Sequence, residues 1–351
     1  MVFFSRKIEK RLSSVLARVS TREMTAMCEH IRKNGYPLRI GVVCDQFQFA
    51  WPLYGFSLST AHLTVSAPIY VPHWVEVEVH SPASIVLFGK NPIMSRWHNF
   101  VIGTDPSKSG KTFKLMAEGL EIFPVASSLR DQKFHEAPQS QITDKNVMQE
   151  SIESQTFLED ADDTIVNPLE QKNTPPKITA EFVRLDLKHE KNNLSGHITF
   201  DAFDASVFIT PEFINFPKID GNLKWILNDV SNLFDANGVD NWKHRFYGKS
   251  GLLKRAELIF HTGGMLRISG PFSFDDEGYL TAEFELAFIQ HTELLKTMQR
   301  LFPPHARNLQ ALFFILSAMP KNADGNPVLP LLISHGWAKL GFLKLGRFAP
   351  L

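Results

Sequence analysis

The sequence predicts a mainly β protein with some α: a long, curved antiparallel sheet, or a half-barrel, with an N-terminal helix and a few covering helices. Three observations carry this. Apolar residues recur at every second position in short runs along most of the chain; Gly, Pro and Asn punctuate the runs at short, regular intervals; helical spacing is confined to a few isolated segments. Short strands joined by turn residues, without helices alternating between them, favour antiparallel over parallel pairing.

Residues 4–20 fit an amphipathic helix, with Ile8, Leu12, Val15, Leu16 and Val19 on one stripe, which either lies on a membrane surface or packs on the first sheet. From Arg22 to Pro124 the period changes to two. Leu38, Ile40, Val42 and Cys44 alternate with polar or small residues, followed by Leu58 to Val65, Val75 to Val79 and Ile85 to Phe88. Asn34-Gly35, Pro52, Gly55, Pro68, Pro72, Pro82, Gly89 and Pro92 break the runs. Two further strands are predicted at 97–102 and 113–123.

Residues 126–177 are polar, poor in aromatics and locally acidic around Glu159, Asp160, Asp162 and Asp163. A run of this length without periodicity is unusual inside a compact domain. It reads as a flexible insertion or an interdomain linker. The chain thus divides into an N-terminal helix (1–21), a β meander (22–125), the polar segment (126–177) and a C-terminal β-rich domain with helices (178–351).

In that last part, strands are predicted at 181–189, 197–203 and 207–209. A helix follows at 222–236, on the spacing of Leu223, Ile226, Leu227, Val230 and Phe234. Three alternating strands at 256–261, 265–274 and 279–289 are joined by Thr262-Gly263-Gly264 and Asp275-Asp276-Glu277-Gly278. Helices at 292–301 and 304–318 and strands at 329–333 and 337–345 complete the chain.

Composition narrows the function classes. The 351 residues are 44% hydrophobic, enough for a sizeable core, and 29 Phe against 5 Tyr and 6 Trp either fill that core or suit a sheet face or an apolar groove. The 37 basic residues balance 37 acidic ones. That argues against nucleic acid as a partner, because phosphate neutralisation needs a basic excess. No stretch approaches the roughly 20 apolar residues of a membrane span. Phe3 and Phe4 followed by Arg6, Lys7, Lys10 and Arg11 read as the end of an apolar anchor meeting its charged flank, so the N-terminal segment is expected at a membrane.

The two cysteines, Cys28 and Cys44, are equidistant from residue 36 in the turn Gly35-Tyr36-Pro37. A hairpin centred there sets them opposite one another, within reach of a disulfide. A disulfide implies an oxidising compartment; the alternative is two reduced, buried thiols.

Cys28, the run Gly35-Tyr36-Pro37-Leu38-Arg39-Ile40 and Cys44-Asp45 resemble the opening motif of the domain of unknown function 2125 family. Gly341, Leu345-Gly346-Arg347 and Pro350-Leu351 resemble its closing motif. Between them, apolar strands joined by Gly turns are similar in rhythm to AsmA-like envelope proteins. The resemblance implies a bacterial envelope protein without an assigned activity, on the periplasmic side of the inner membrane and anchored through its N-terminus.

No catalytic residue, cofactor site or metal site is expected. Ser107-Lys108-Ser109-Gly110-Lys111-Thr112 lacks the first glycine of a phosphate loop, since Asp105 stands there, and it lies in a hairpin turn. The 13 histidines, among them His62, His73, His197, His261 and His335, show no metal-binding spacing. Carboxylate pairs such as Asp275-Asp276 lie in turns, where Asp bonds to its own backbone. Three readings remain, in order of preference: an apolar sheet face that binds lipid or an envelope partner, a scaffold whose faces are fully self-buried, and an enzyme acting on envelope polymers.

Overall fold

The computed structural model describes residues 25–35, 37–52, 55–87, 91–105, 111–124, 177–204, 216–230 and 242–351. The predicted helix at 4–20, the strand at 207–209 and the segment 126–176 lie outside the described residues. The rest is mainly β with two α-helices, as the alternation predicts.

Among the described residues seventeen strands form one antiparallel sheet. The N-terminal strands are β1 (Thr25–Asn34), β2 (Arg39–Trp51), β3 (Phe56–Pro68), β4 (Val75–Val79), β5 (Ala83–Val86), β6 (Ile93–Arg96), β7 (Asn99–Asp105) and β8 (Lys111–Pro124). The long β3 pairs with β4 at one end and β5 at the other. β4 then pairs with β7 and β5 with β6, and both β6 and β7 pair with β8.

β9 (Ile178–Glu190) pairs directly with β8, so the sheet runs on from one to the other. Beyond β9 the order follows the sequence: β10 (Asn193–Phe203), β11 (Ile219–Leu227), β12 (Ser250–Phe260), β13 (Met265–Phe274), β14 (Leu280–Ile289), β15 (Val328–Ser334), β16 (Trp337–Leu340) and β17 (Leu343–Arg347). Among the described residues β1 pairs only with β2 and β17 only with β16, which leaves two edges.

Between β14 and β15 lie α1 (His291–Leu301) and α2 (Ala306–Ser317). Leu294, Thr297 and Leu301 form the buried stripe of α1 at helical spacing, and Pro303-Pro304 ends it, because proline cannot supply the next backbone donor. The Thr297 hydroxyl donates to the Gly263 carbonyl at 2.9 Å and meets the Thr262 hydroxyl at 2.8 Å, tying α1 to the β12–β13 turn.

Three sequence expectations are corrected. Over its described part, residues 222–230, the helix predicted at 222–236 is not there: Asn222–Leu227 belong to β11, paired on both sides with β10 and β12. Leu223, Trp225 and Leu227 share one face of a strand, and two full ladders of hydrogen bonds outweigh a weak helical stripe. The strand predicted at 337–345 is a hairpin, reversed at Gly341-Phe342 with Gly341 at φ 55°. The strand predicted to begin at Trp97 begins at Asn99; Trp97 is buried before it, donating from its indole N–H to the Val79 carbonyl at 2.7 Å.

Candidate functional site

The ladder registers place one apolar residue on every strand of a single line. Val42 pairs with Val65, Val65 with Val77, Val77 with Ile102, Ile102 with Leu115 and Leu115 with Leu185. Leu185 pairs with Ile198, then follow Leu223, Ala256, Ile268, Leu286 and Leu329. Directly paired residues point to the same side of a sheet. The line therefore crosses twelve strands, roughly 50 Å at the usual strand spacing, without a polar side chain.

A second line beside it runs from Phe100 through Ala117, Val183, Phe200, Gly221, Leu258 and Leu266 to Phe288. One residue along each strand, the pattern inverts: Glu76, Gly103, Lys114, Asp186, His197, Lys224 and Arg255 are successive partners on the opposite side. The sheet has one apolar face and one charged face.

Three glycines flatten the apolar face. Gly196 pairs with Trp225, Gly221 with Phe200 and Gly251 with Phe272. In each pair the aromatic ring lies where a β-carbon on the glycine would be. The ring thus rests on its neighbour's backbone instead of standing upright, an arrangement that only a residue without a side chain permits.

Cover is uneven. At the C-terminal side, Leu294 of α1 and Phe313 and Leu316 of α2 bury Phe260, Leu286, Phe288 and Leu329. At the opposite ends of the central strands, Val230 and Phe246 pack on Leu194, Leu227 and Phe272. Between these roofs Leu115, Leu185, Ile198 and Leu223 are only half-buried, and among the described residues no helix packs over them.

The disulfide closes the N-terminal end of the same face. Cys28 and Cys44 are bonded, with Cα atoms 5.7 Å apart, and pack with Leu63, Val79 and Trp97. The bond is as expected; the register is not. Cys28 pairs with Phe47 and Cys44 with Ile31, so the hairpin is centred between Pro37 and Leu38 rather than on residue 36. Two flat strands at that offset would hold the cysteines too far apart. Gln46, the left-handed residue of β2 at φ 53°, breaks the pleat between Cys44 and Phe47 and allows the approach.

Around the disulfide, the Arg32 guanidinium donates two hydrogen bonds to Asp45, at 2.8 and 3.0 Å, and His62 Nδ1 lies 2.8 Å from the same carboxylate. The Arg32 hydrogen bond, then that of His62, holds the Asp45 carboxyl below its ordinary range. At the other end, burial would raise Asp275. The N–H groups of Tyr279 and Glu277 and the His335 ring outweigh it, and the carboxyl is lowered.

Three other histidines stand apart, His197 on Asn222, His261 on Asp220 and His73 near Asp105, while His80 meets the His62 ring edge-on at 6.2 Å. Among the described residues no three metal-ligating side chains converge, and no helix is long and apolar enough to cross a membrane. Sequence reasoning found the cysteines and the turn carboxylates. It missed the apolar line and the glycine–aromatic pairs, whose partners are separated by long stretches of chain.

A family model described as an uncharacterised protein conserved in bacteria, DUF2125, matches residues 2–349. The chain belongs to the DUF2125 family. No curated protein and no solved structure matches it. For this DUF2125 chain the apolar face is therefore the feature from which a function has to be argued.

Proposed function

We propose that this DUF2125 protein is a cell-envelope lipid-binding protein. It holds acyl chains along the apolar face of its sheet, on the periplasmic side of the bacterial inner membrane, with its N-terminal segment at the bilayer. The observation that carries the reading is the unbroken apolar line from Val42 to Leu329, left half-exposed at Leu115, Leu185, Ile198 and Leu223.

The chemistry favours a hydrocarbon ligand. The line offers no hydrogen-bond donor or acceptor from a side chain, so a polar ligand laid on it would lose its water without compensation. An acyl chain loses nothing and gains about 0.8 kcal/mol for each methylene it buries. The disulfide fits the compartment, because such bonds persist where thiols are oxidised. The role is binding rather than catalysis: the site is a long surface of one character, not a cleft with convergent titratable groups.

The alternation within one strand supplies the test. A photo-crosslinking residue at Leu185 faces the apolar side and one at Arg184 the charged side. In cells, Leu185 is expected to yield lipid adducts and Arg184 none. Native mass spectrometry of gently purified protein should show the same lipid released on extraction. Adducts at both positions, or at neither, would refute the reading; none at either would mean that the chain closes the face itself, as a scaffold.

A further inference from the structure

We infer that the hairpin of β16 and β17 is a second membrane-contacting element, whose tip inserts into the interfacial layer of an anionic phospholipid bilayer. The tip is apolar: Leu340, Gly341, Phe342 and Leu343 make the reversal, and the Phe342 side chain is 58% exposed. Leu345 is exposed just behind it, and Trp337 and Phe348 are exposed at the far end of the hairpin, beside the β15–β16 turn. A soluble surface rarely gathers so many large apolar groups unless something covers them.

The occupant is indicated by charge. Lys339 and Lys344 are direct cross-strand partners immediately behind the tip. Like charges directly opposite one another repel, and among the described residues neither has a carboxylate partner. Glu283 shares their ladder row, but Leu332 stands between it and Lys339. From residue 328 to 351 there is no Asp or Glu, against Lys339, Lys344 and Arg347.

A pair of lysines that repel each other is stabilised by an anion lying across them. Phosphate groups of a bilayer supply such anions in the plane just above the hydrocarbon into which Phe342 and Leu343 would dip. Aromatic residues and basic collars occupy these depths in membrane proteins. The hairpin is at the opposite edge of the sheet from β1. The inference stands apart from the acyl-chain reading, since cargo is read from adducts at Leu185 and docking from the hairpin.

The test uses the full chain, whose two cysteines are both in the disulfide. Phe342→Cys is labelled with an environment-sensitive fluorophore, and Lys254→Cys, exposed on β12, serves as a reference. The vesicles are phosphatidylcholine alone, or phosphatidylcholine with phosphatidylglycerol. The label at position 342 is expected to shift to the blue on the anionic vesicles only, and the label at 254 on neither. Lys339→Gln with Lys344→Gln should weaken partitioning about thirty-fold, from the usual attraction per surface lysine, while leaving the circular dichroism unchanged. Phe342→Ser should abolish the residual binding through the tip. Flotation with vesicles without a shift at position 342 would overturn the inference, as would equal shifts on neutral vesicles or undiminished binding of the lysine variant.

Discussion

Gly221→Ala separates two physical accounts of the apolar face by sign. Gly221 has no left-handed backbone to protect, so alanine is sterically admissible to the main chain. Considered as a strand residue alone, alanine should stabilise by about 0.5–1 kcal/mol, because glycine loses more conformational freedom on folding. The Phe200 ring, however, lies where the new methyl would go, and all three of the nearest atoms belong to that ring. Displacing it costs about 1–3 kcal/mol, as overpacking generally does.

The expected net effect is therefore a loss of about 1 kcal/mol, from a range of roughly 0 to 2.5 kcal/mol, measured as a lower midpoint in urea unfolding followed by circular dichroism. In a Phe200→Ala background the obstruction is gone, and Gly221→Ala should become stabilising. The difference between the two backgrounds is the coupling energy of the pair. If Gly221→Ala stabilises equally in both backgrounds, the ring does not depend on the glycine and the flattened face is wrong.

Two further outcomes follow from the N-terminal end. Cys28→Ser with Cys44→Ser should lower stability by about 3 kcal/mol, because the bond closes a short loop in the unfolded chain, the two cysteines being 16 residues apart; a urea midpoint unchanged by substitution and by reductant would contradict this. Asp45 is held below its ordinary range when folded, so its contribution is complete above the unfolded value of about 3.9 and is lost as pH falls through the lowered folded value. Asp45→Asn should accordingly lose stability less steeply between pH 4 and pH 2 in stepped-pH unfolding, and an unchanged acid limb would remove Asp45 from the account.

What was legible in the sequence is what short stretches determine. Val75, Val77 and Val79 alternate because one face of β4 is apolar, and a glycine pair at 263–264 can reverse the chain whatever surrounds it. The two covering helices were readable because α1 carries its own buried stripe and a proline stop. Leu223 and Leu227 fit both periods, Ile226 only the helical one and Trp225 only the strand one, and the pairing of β11 with β10 and β12 decides. Trp337 to Leu345 reads as one apolar run, and only the ladder shows it folding back at Gly341.

The cysteines mark the same boundary more finely. Their types and spacing were enough to indicate a disulfide and a hairpin. They were not enough to set the register, which is displaced from the symmetric one and accommodated by the left-handed Gln46. The sequence by itself determined an antiparallel β protein, its main turns, its bonded cysteines and its family resemblance, because these depend on neighbours in the chain. The tertiary structure alone decided that Val42, Leu185 and Leu329 lie on one line, that Trp225 rests on Gly196, and that Lys339 faces Lys344 beside an apolar tip. Each follows from strand register, and a shift of one residue would have turned every one of those side chains to the other face.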